Sequence, residues 1–236
     1  MFKEGIDMKP PNHVALIVDG NRRWARQQNM PFFDAYKLAG VNLVDVVCNA
    51  AALGVKSISA FLFSTENWQR DSAEIDSVMK AFGEILFEHT ETFKRCGVRV
   101  HTIGGFDRLP TNIQEAIRHT TLATQNCDHA NFVMAFNYGG RWDVVEAVKR
   151  ATQTLSPDDI RRLSERDFAS LLSTAPFGDP DLLIRTGNQR RISNFMMWQL
   201  AYAELYFSEL MWPDFTPEQF GHAIHDYAQR ERRKGA

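Results

Sequence analysis

The sequence predicts an α/β protein built on one mostly parallel sheet flanked by helices, and three observations predict it. Short apolar runs alternate along the chain with longer stretches of helical periodicity. Those runs are apolar throughout rather than alternating with polar residues, as strands covered on both faces are. Strands interleaved with helices assemble as right-handed βαβ units in a single sheet. The 236 residues, 44% of them hydrophobic, suffice for one sizeable core, and residues 1–236 read as a single domain with 1–10 as a flexible lead.

The first strand is expected at 13–19 and runs into Asp19-Gly20-Asn21-Arg22-Arg23-Trp24. An Asp at a strand end is commonly a helix N-cap, and Gly20 and Asn21 suit a turn. Arg22 and Arg23 point further, because helix N-terminal amides joined by arginines bind anions. An acid in such a place tolerates a phosphate when a magnesium ion bridges the two. A helix follows at 34–53 and a second strand at 57–64. In the next loop, Asp71 or Ser72 with Glu74 reads as a capped helix start, which leaves Asn67, Trp68 and Arg70 unexplained.

The helix at 72–96 repeats Val78, Phe82, Ile85, Leu86 and Phe93 at helical spacing, fitting either a plain core helix or one wall of an apolar groove. Strands at 99–104 and 131–136 bracket a helix at 111–125. Gly139 and Gly140 suit a turn into a helix at 140–154, with Arg141 and Trp142 read as structural. A helix at 157–173, a strand at 181–185 and a last helix at 217–233 complete the chain.

Composition excludes several functions. A formal charge of −2 offers no broad attraction for nucleic acid or an anionic membrane, so any anion site must be a local arginine cluster. No nucleic acid and at most peripheral membrane contact are expected. No apolar run approaches bilayer length and the first residues lack a signal-like core, so a cytoplasmic location is expected. Three cysteines without metal-ligand spacing read as buried, reduced thiols. The seven histidines form no metal pair, and Gly-rich nucleotide loops and nucleophile triads are absent.

In open parallel sheets ligands bind beyond the carboxyl ends of the strands. Those ends carry Asp19, Arg22, Arg23, Asn67, Arg70, Arg141, Arg185 and Arg191. Arginines, amides and glycines around one acid are chemistry for phosphate and a divalent cation.

Together the stretches HVALIVDGNRRWA, FSTENWQR, NYGGRWD, DLLIRTGNQRRISNFMMWQLAYAELYF, WPDF and RERRKG resemble the cis-prenyltransferases, the undecaprenyl diphosphate synthase-like enzymes. The resemblance spans about residues 11–235. It implies a single domain with a six-stranded, mostly parallel sheet, a hydrophobic tunnel, a homodimer, and a Mg2+-assisted condensation of an allylic diphosphate with isopentenyl diphosphate. The allylic substrate would be dimethylallyl, geranyl or farnesyl diphosphate.

By the same resemblance Asp19 and Asn67 are the catalytic residues. Gly20, Asn21, Arg22, Arg23, Trp24, Lys37, Ser64, Trp68 and Arg70 surround the allylic diphosphate. Arg185, Arg191, Ser193, Arg233 and Gly235 hold the isopentenyl diphosphate, the last two reaching the partner subunit's site. Asp19 and Glu204 are the metal ligands, and Leu62 and Phe136 face the tunnel.

The chain departs from the family pattern at PFFDAYKLAG. Phe32 or Phe33 stands in place of an arginine, Tyr36 in place of glycine and Lys37 in place of histidine, while Ala39 and Gly40 persist. Asp34-Ala35-Tyr36 is similar instead to the lavandulyl-type branch, which couples two dimethylallyl diphosphates head-to-middle. Asn188-Gln189 replaces the usual Gly-Glu. Large residues at Leu62 and Phe136 would floor the tunnel, so a product of about ten to twenty carbons is expected, elongation being favoured over irregular coupling. A non-catalytic partner subunit is the remaining alternative, and Asp19 argues against it.

Overall fold

In the computed structural model, residues 9–231 are described. Six strands form one all-parallel sheet in the order β3-β4-β2-β1-β5-β6. They are β1 (His13–Ile17), β2 (Ser57–Ser64), β3 (Val98–Ile103), β4 (Ala130–Tyr138), β5 (Leu182–Arg185) and β6 (Glu204–Phe207). The helices are α1 (Asn21–Gln27), α2 (Phe32–Ala52), α3 (Ser72–Arg95), α4 (Thr111–Ala123), α5 (Gly140–Thr154), α6 (Pro157–Arg161), α7 (Glu165–Ala169) and α8 (Pro217–Ala228).

The strands of β1, β2, β4 and β5 are almost wholly buried, which is why their sequences read as unbroken apolar runs. Alternate side chains divide between two cores. Val14, Leu16, Ile58, Ala60 and Phe132 pack beneath α2, α3, α4 and α8, whereas Ala15, Ile17, Val133 and Leu183 face Phe195 and Trp142 on the other side.

Strand β1 lies between β2 and β5, so the chain leaves its carboxyl end toward one side and leaves that of β5 toward the other. This divergence opens a crevice, and it places Asp19 and Arg185 at its two lips. A second irregularity shapes the neighbouring strands. Phe61 pairs with Ala135 and Phe63 with Phe136, leaving Leu62 unpaired in a bulge. Asn137, with φ 50°, is likewise skipped before Ser64 meets Tyr138. The bulge turns both Leu62 and Phe63 toward the α3 side, while Phe61 stacks on Phe195 across the sheet.

Parallel crossovers make α2 and α3 run side by side in one direction, which brings their carboxyl ends together. There Cys48 and Cys96 form a disulfide with their Cα atoms 5.6 Å apart. The reading of reduced thiols is corrected for this pair; Cys127 is free and half-buried. Two further expectations are revised. The helix at 157–173 is two short helices, each begun by its own Ser–Asp capping box, at Ser156/Asp159 and Ser164/Asp167. The strand at the sheet edge, β6, adds to the five expected strands; its side chains are half-exposed rather than buried on both faces. Among the described residues no helix is long and apolar enough to cross a membrane. Most of the 1–10 segment, residues 1–8, lies outside the described residues.

Candidate active site

Asp19 is not a helix cap. The N-cap of α1 is Gly20, whose φ of 110° suits glycine alone and whose absent side chain makes room for Met211. The Asp19 carboxylate instead points into the crevice, accepting from Arg185 Nη2 at 2.8 Å and lying 3.6 Å from Arg23 Nη2. Arg23 also donates to the Gly187 carbonyl at 2.7 Å. Gly187 holds φ at 80°, a conformation side-chain-bearing residues rarely adopt, and a Cβ there would crowd both the guanidinium and the Asp19 carbonyl.

Arg185 is 4% exposed and is the hub of the second half of the crevice. Its Nη1 donates to Ser193 Oγ at 2.7 Å and to the Arg191 carbonyl. Among the described residues its Nε has no partner, and neither does the buried Oδ1 of Asn21. Ser193 holds φ at 49°, and Asn194 and Met196 are also left-handed. Strained backbone of this kind persists where the surroundings fix it, and here it turns Ser193 toward Arg185.

A third group closes the crevice from the helical side. Glu74, in the first turn of α3, is 1% exposed. It meets Arg70 Nη1 at 3.0 Å, Arg22 Nε at 3.3 Å and the Tyr36 hydroxyl at 3.2 Å. Between β2 and α3, Ser64 opens a 3₁₀ turn at Thr65–Gln69, and its amide donates to Asn67 Oδ1 at 3.1 Å.

These groups ring the mouth of a cavity of about 460 Å³ that runs inward between α2, α3 and β4. Gly20, Asn21, Arg22, Arg23, Ser64, Asn67, Arg70, Arg191 and Ser193 all line it, as do Leu62 and Phe136. Its interior is aromatic and aliphatic. Phe136 stacks on Phe82 at 4.2 Å between ring centroids, and deeper in Phe93 pairs with Phe132 at 5.6 Å. The repeat along α3 is therefore a groove wall as well as core.

Four expected site residues lie elsewhere. Lys37 extends along the surface to Glu84 and Glu88, 3.0 Å from each, because α3 offers it two carboxylates one turn apart. Trp24 turns its indole N–H to Asp214 Oδ1 at 2.9 Å, tying α1 to the segment after β6. Trp68 packs behind the loop, donating to Asn137 Oδ1 at 2.7 Å with Arg108 over its face. Glu204 pairs in register with Leu182, three residues below Arg185, and binds Arg230 at 2.9 Å. Asp19 and Glu204 thus sit at different levels of the sheet and do not form one metal site within the chain. Arg233 and Gly235 lie outside the described residues.

Sequence reasoning missed the roles of Tyr36 and Glu74. Their signals were the replacement of a glycine by tyrosine and an acid four residues beyond Arg70, a spacing that pairs charges on a helical path.

A family profile described as "Putative undecaprenyl diphosphate synthase" matches residues 17–235. The chain belongs to the cis-prenyltransferase family. Among curated members it is 44% identical over 230 residues to the chloroplastic (2Z,6Z)-farnesyl diphosphate synthase of Solanum lycopersicum, covering 95% of this chain and 79% of that one. It is 40% identical over 241 residues to the ditrans,polycis-undecaprenyl-diphosphate synthase, (2E,6E)-farnesyl-diphosphate specific, of Pseudomonas aeruginosa, covering 100% and 94%. A crystal structure of lavandulyl diphosphate synthase from Lavandula x intermedia in complex with dimethylallyl diphosphate superposes with a TM-score of 0.90 at 31% identity, covering 96% and 99%. The cis-prenyltransferase fold accounts for the crevice at β1 and β5 and for the apolar cavity beneath it.

Proposed function

We propose that this cis-prenyltransferase condenses an allylic diphosphate with isopentenyl diphosphate to give a short cis-prenyl diphosphate. The observation that carries the reading is the arginine-ringed mouth around Asp19 opening into an apolar cavity of small-ligand size. Arg22, Arg23 and Arg70, with the α1 amides and Asn21, receive the allylic diphosphate. Arg185, Arg191 and Ser193 hold the acceptor. Breaking the allylic C–O bond leaves a delocalised cation and a diphosphate whose growing charge these fixed donors stabilise. The acceptor's double bond attacks the cation, and a proton then passes from the new tertiary cation to the released diphosphate, restoring a double bond; Asn67, which lines the mouth, would guide it. The aromatic interior excludes water, which would otherwise capture the cation.

The mouth fits Mg2+. It offers one carboxylate, an unpartnered amide oxygen on Asn21 and room for phosphate oxygens, and magnesium binds through one or two carboxylates plus substrate phosphates. Bound there, the ion would neutralise the leaving diphosphate. Asp19 is the residue that would hold it. The half-exposed edge strand β6, with Trp198, Tyr202, Leu205 and Leu210 exposed nearby, supports a homodimer.

Irregular coupling of two dimethylallyl diphosphates is a second reading, favoured by Tyr36 at the mouth and by the likeness to the lavandulyl diphosphate synthase structure. One experiment tests both. The protein is incubated with magnesium and dimethylallyl diphosphate, with and without isopentenyl diphosphate, and products are identified by mass and carbon skeleton. Product requiring both substrates supports elongation, and product from dimethylallyl diphosphate alone supports irregular coupling. No product with any starter overturns both in favour of a binding subunit.

A further inference from the structure

Tyr36 is fixed at both ends. Its ring packs against the core beneath α2, and its hydroxyl accepts from Arg70 Nη1 at 3.3 Å while donating to Glu74 Oε1 at 3.2 Å. Glu74 in turn takes Arg70 directly and Arg22 on its other oxygen. The side chain therefore cannot swing aside without taking a partner from the buried Glu74 carboxylate, which costs more than losing a solvated contact. Burial pushes its phenol up to about 12, so it faces the cavity as a neutral group at physiological pH.

Its neighbours on the same helical face lie one turn further in and are Ala39 and Gly40, both lining the cavity. The α2 wall thus steps from one large anchored ring at the mouth to two small residues behind it, where Ile85 of α3 packs against Gly40. Across the cavity stand Val78 and Phe82 of α3. On the prenyl-transfer reading, a five-carbon tail from a diphosphate at Arg22 and Arg70 would end beside the ring, and a fifteen-carbon tail would have to pass it to reach the aromatic interior.

We infer that Tyr36 is a specificity-determining residue that admits short allylic diphosphates and restricts long ones at the mouth of the cavity. The inference rests on the prenyl-transfer reading. It differs from a floor, because a floor limits how far a product grows, whereas a ring at the mouth discriminates among starters before any condensation.

The test measures diphosphate release with magnesium and isopentenyl diphosphate, using dimethylallyl or farnesyl diphosphate as starter. It compares the wild-type protein, Tyr36→Ala and Tyr36→Phe. The wild type is expected to show at least about tenfold higher kcat/KM with the five-carbon starter. Tyr36→Ala, which keeps helix propensity, is expected to shift that ratio at least about tenfold toward farnesyl diphosphate. Tyr36→Phe keeps the ring and so keeps the ratio, while losing the hydroxyl raises KM for both starters by several-fold through Arg70. An unchanged ratio in Tyr36→Ala, a wild type preferring the long starter, or a Phe variant that shifts the ratio as Ala does each overturns the inference while leaving prenyl transfer standing. Absence of diphosphate release by the wild type with any starter overturns the reading itself and the inference with it.

Discussion

The guanidinium of Arg185 donates to the carboxylate of Asp19 at 2.8 Å across two neighbouring strands. One residue closes β5 and the other follows β1, so the two halves of the crevice share a charged contact. An acid held in place by an arginine is oriented before any ligand arrives, and the arginine is held at the lip of the crevice in turn.

Replacing Asp19 with Ala is expected to lower kcat by at least about 100-fold, the scale of losing one preorganised electrostatic contact. The side chain is 29% exposed, so far-UV circular dichroism and the thermal transition should remain native in form. Wild-type turnover in the variant would refute the role assigned to this carboxylate.

The Phe82–Phe136 pair crosses the cavity above Phe93 and Phe132. Phe136→Leu should lengthen the product by at least one isoprene unit, read by mass spectrometry of the dephosphorylated lipids. The cost in stability should be about 1 kcal/mol, as for other near-conservative core replacements. Products of unaltered length would place the limit elsewhere, at the mouth or at the deeper ring pair.

Lys37 supplies a contrast. Because it is engaged by Glu84 and Glu88 outside the cavity, Lys37→Ala should leave KM for the allylic diphosphate within about twofold of the wild-type value. A tenfold rise in KM would show that the lysine reaches the diphosphate after all.

His13 ties β1 to its surroundings as a neutral ring. Its Nδ1–H donates to the Gly178 carbonyl and Nε2 accepts from Ser59, each at 2.8 Å. Burial depresses its pKa from 6.5 to about 4. A histidine whose folded value is lowered contributes stability above the unfolded value, and that contribution falls away as pH drops from 6.5 to about 4. The shift corresponds to roughly 3 kcal/mol. Urea unfolding at pH 7 and pH 4.5 should show this loss in the wild type and a smaller one in His13→Asn. Proton NMR showing a charged ring at pH 6 would contradict it.

Much of the sheet can be read from the chain because each central strand is buried on both sides, and burial writes itself as an apolar run. Asp19, Arg185 and Arg191 are legible for a related reason, since each stands at or just past the end of a strand that a parallel fold must present to ligand, whereas Ser193 is reached only through the family resemblance. The remainder depends on tertiary contacts that leave no local trace. Glu74 has the spacing of an ordinary capping acid, and only the packing of α2 against α3 makes it a buried anchor for two arginines. Lys37 and Trp24 stand in the motif order expected of diphosphate ligands, yet nearer partners on α3 and at Asp214 claim them. The bulge at Leu62 is a mismatch between two strands and exists in neither strand alone. Strand β6 escapes notice because it is only 4 residues long and half-exposed at the sheet edge.

The bond between Cys48 and Cys96 fastens α2 to α3 one turn beyond Phe93, at the end remote from Asp19. Two rods pinned at one end can part only as levers. Any opening of this pair is therefore smallest around Phe93 and Phe132 and largest where Tyr36 meets Glu74. The doorway is held by hydrogen bonds and ion pairs, and the depth available to a growing chain is set by the end that is held covalently.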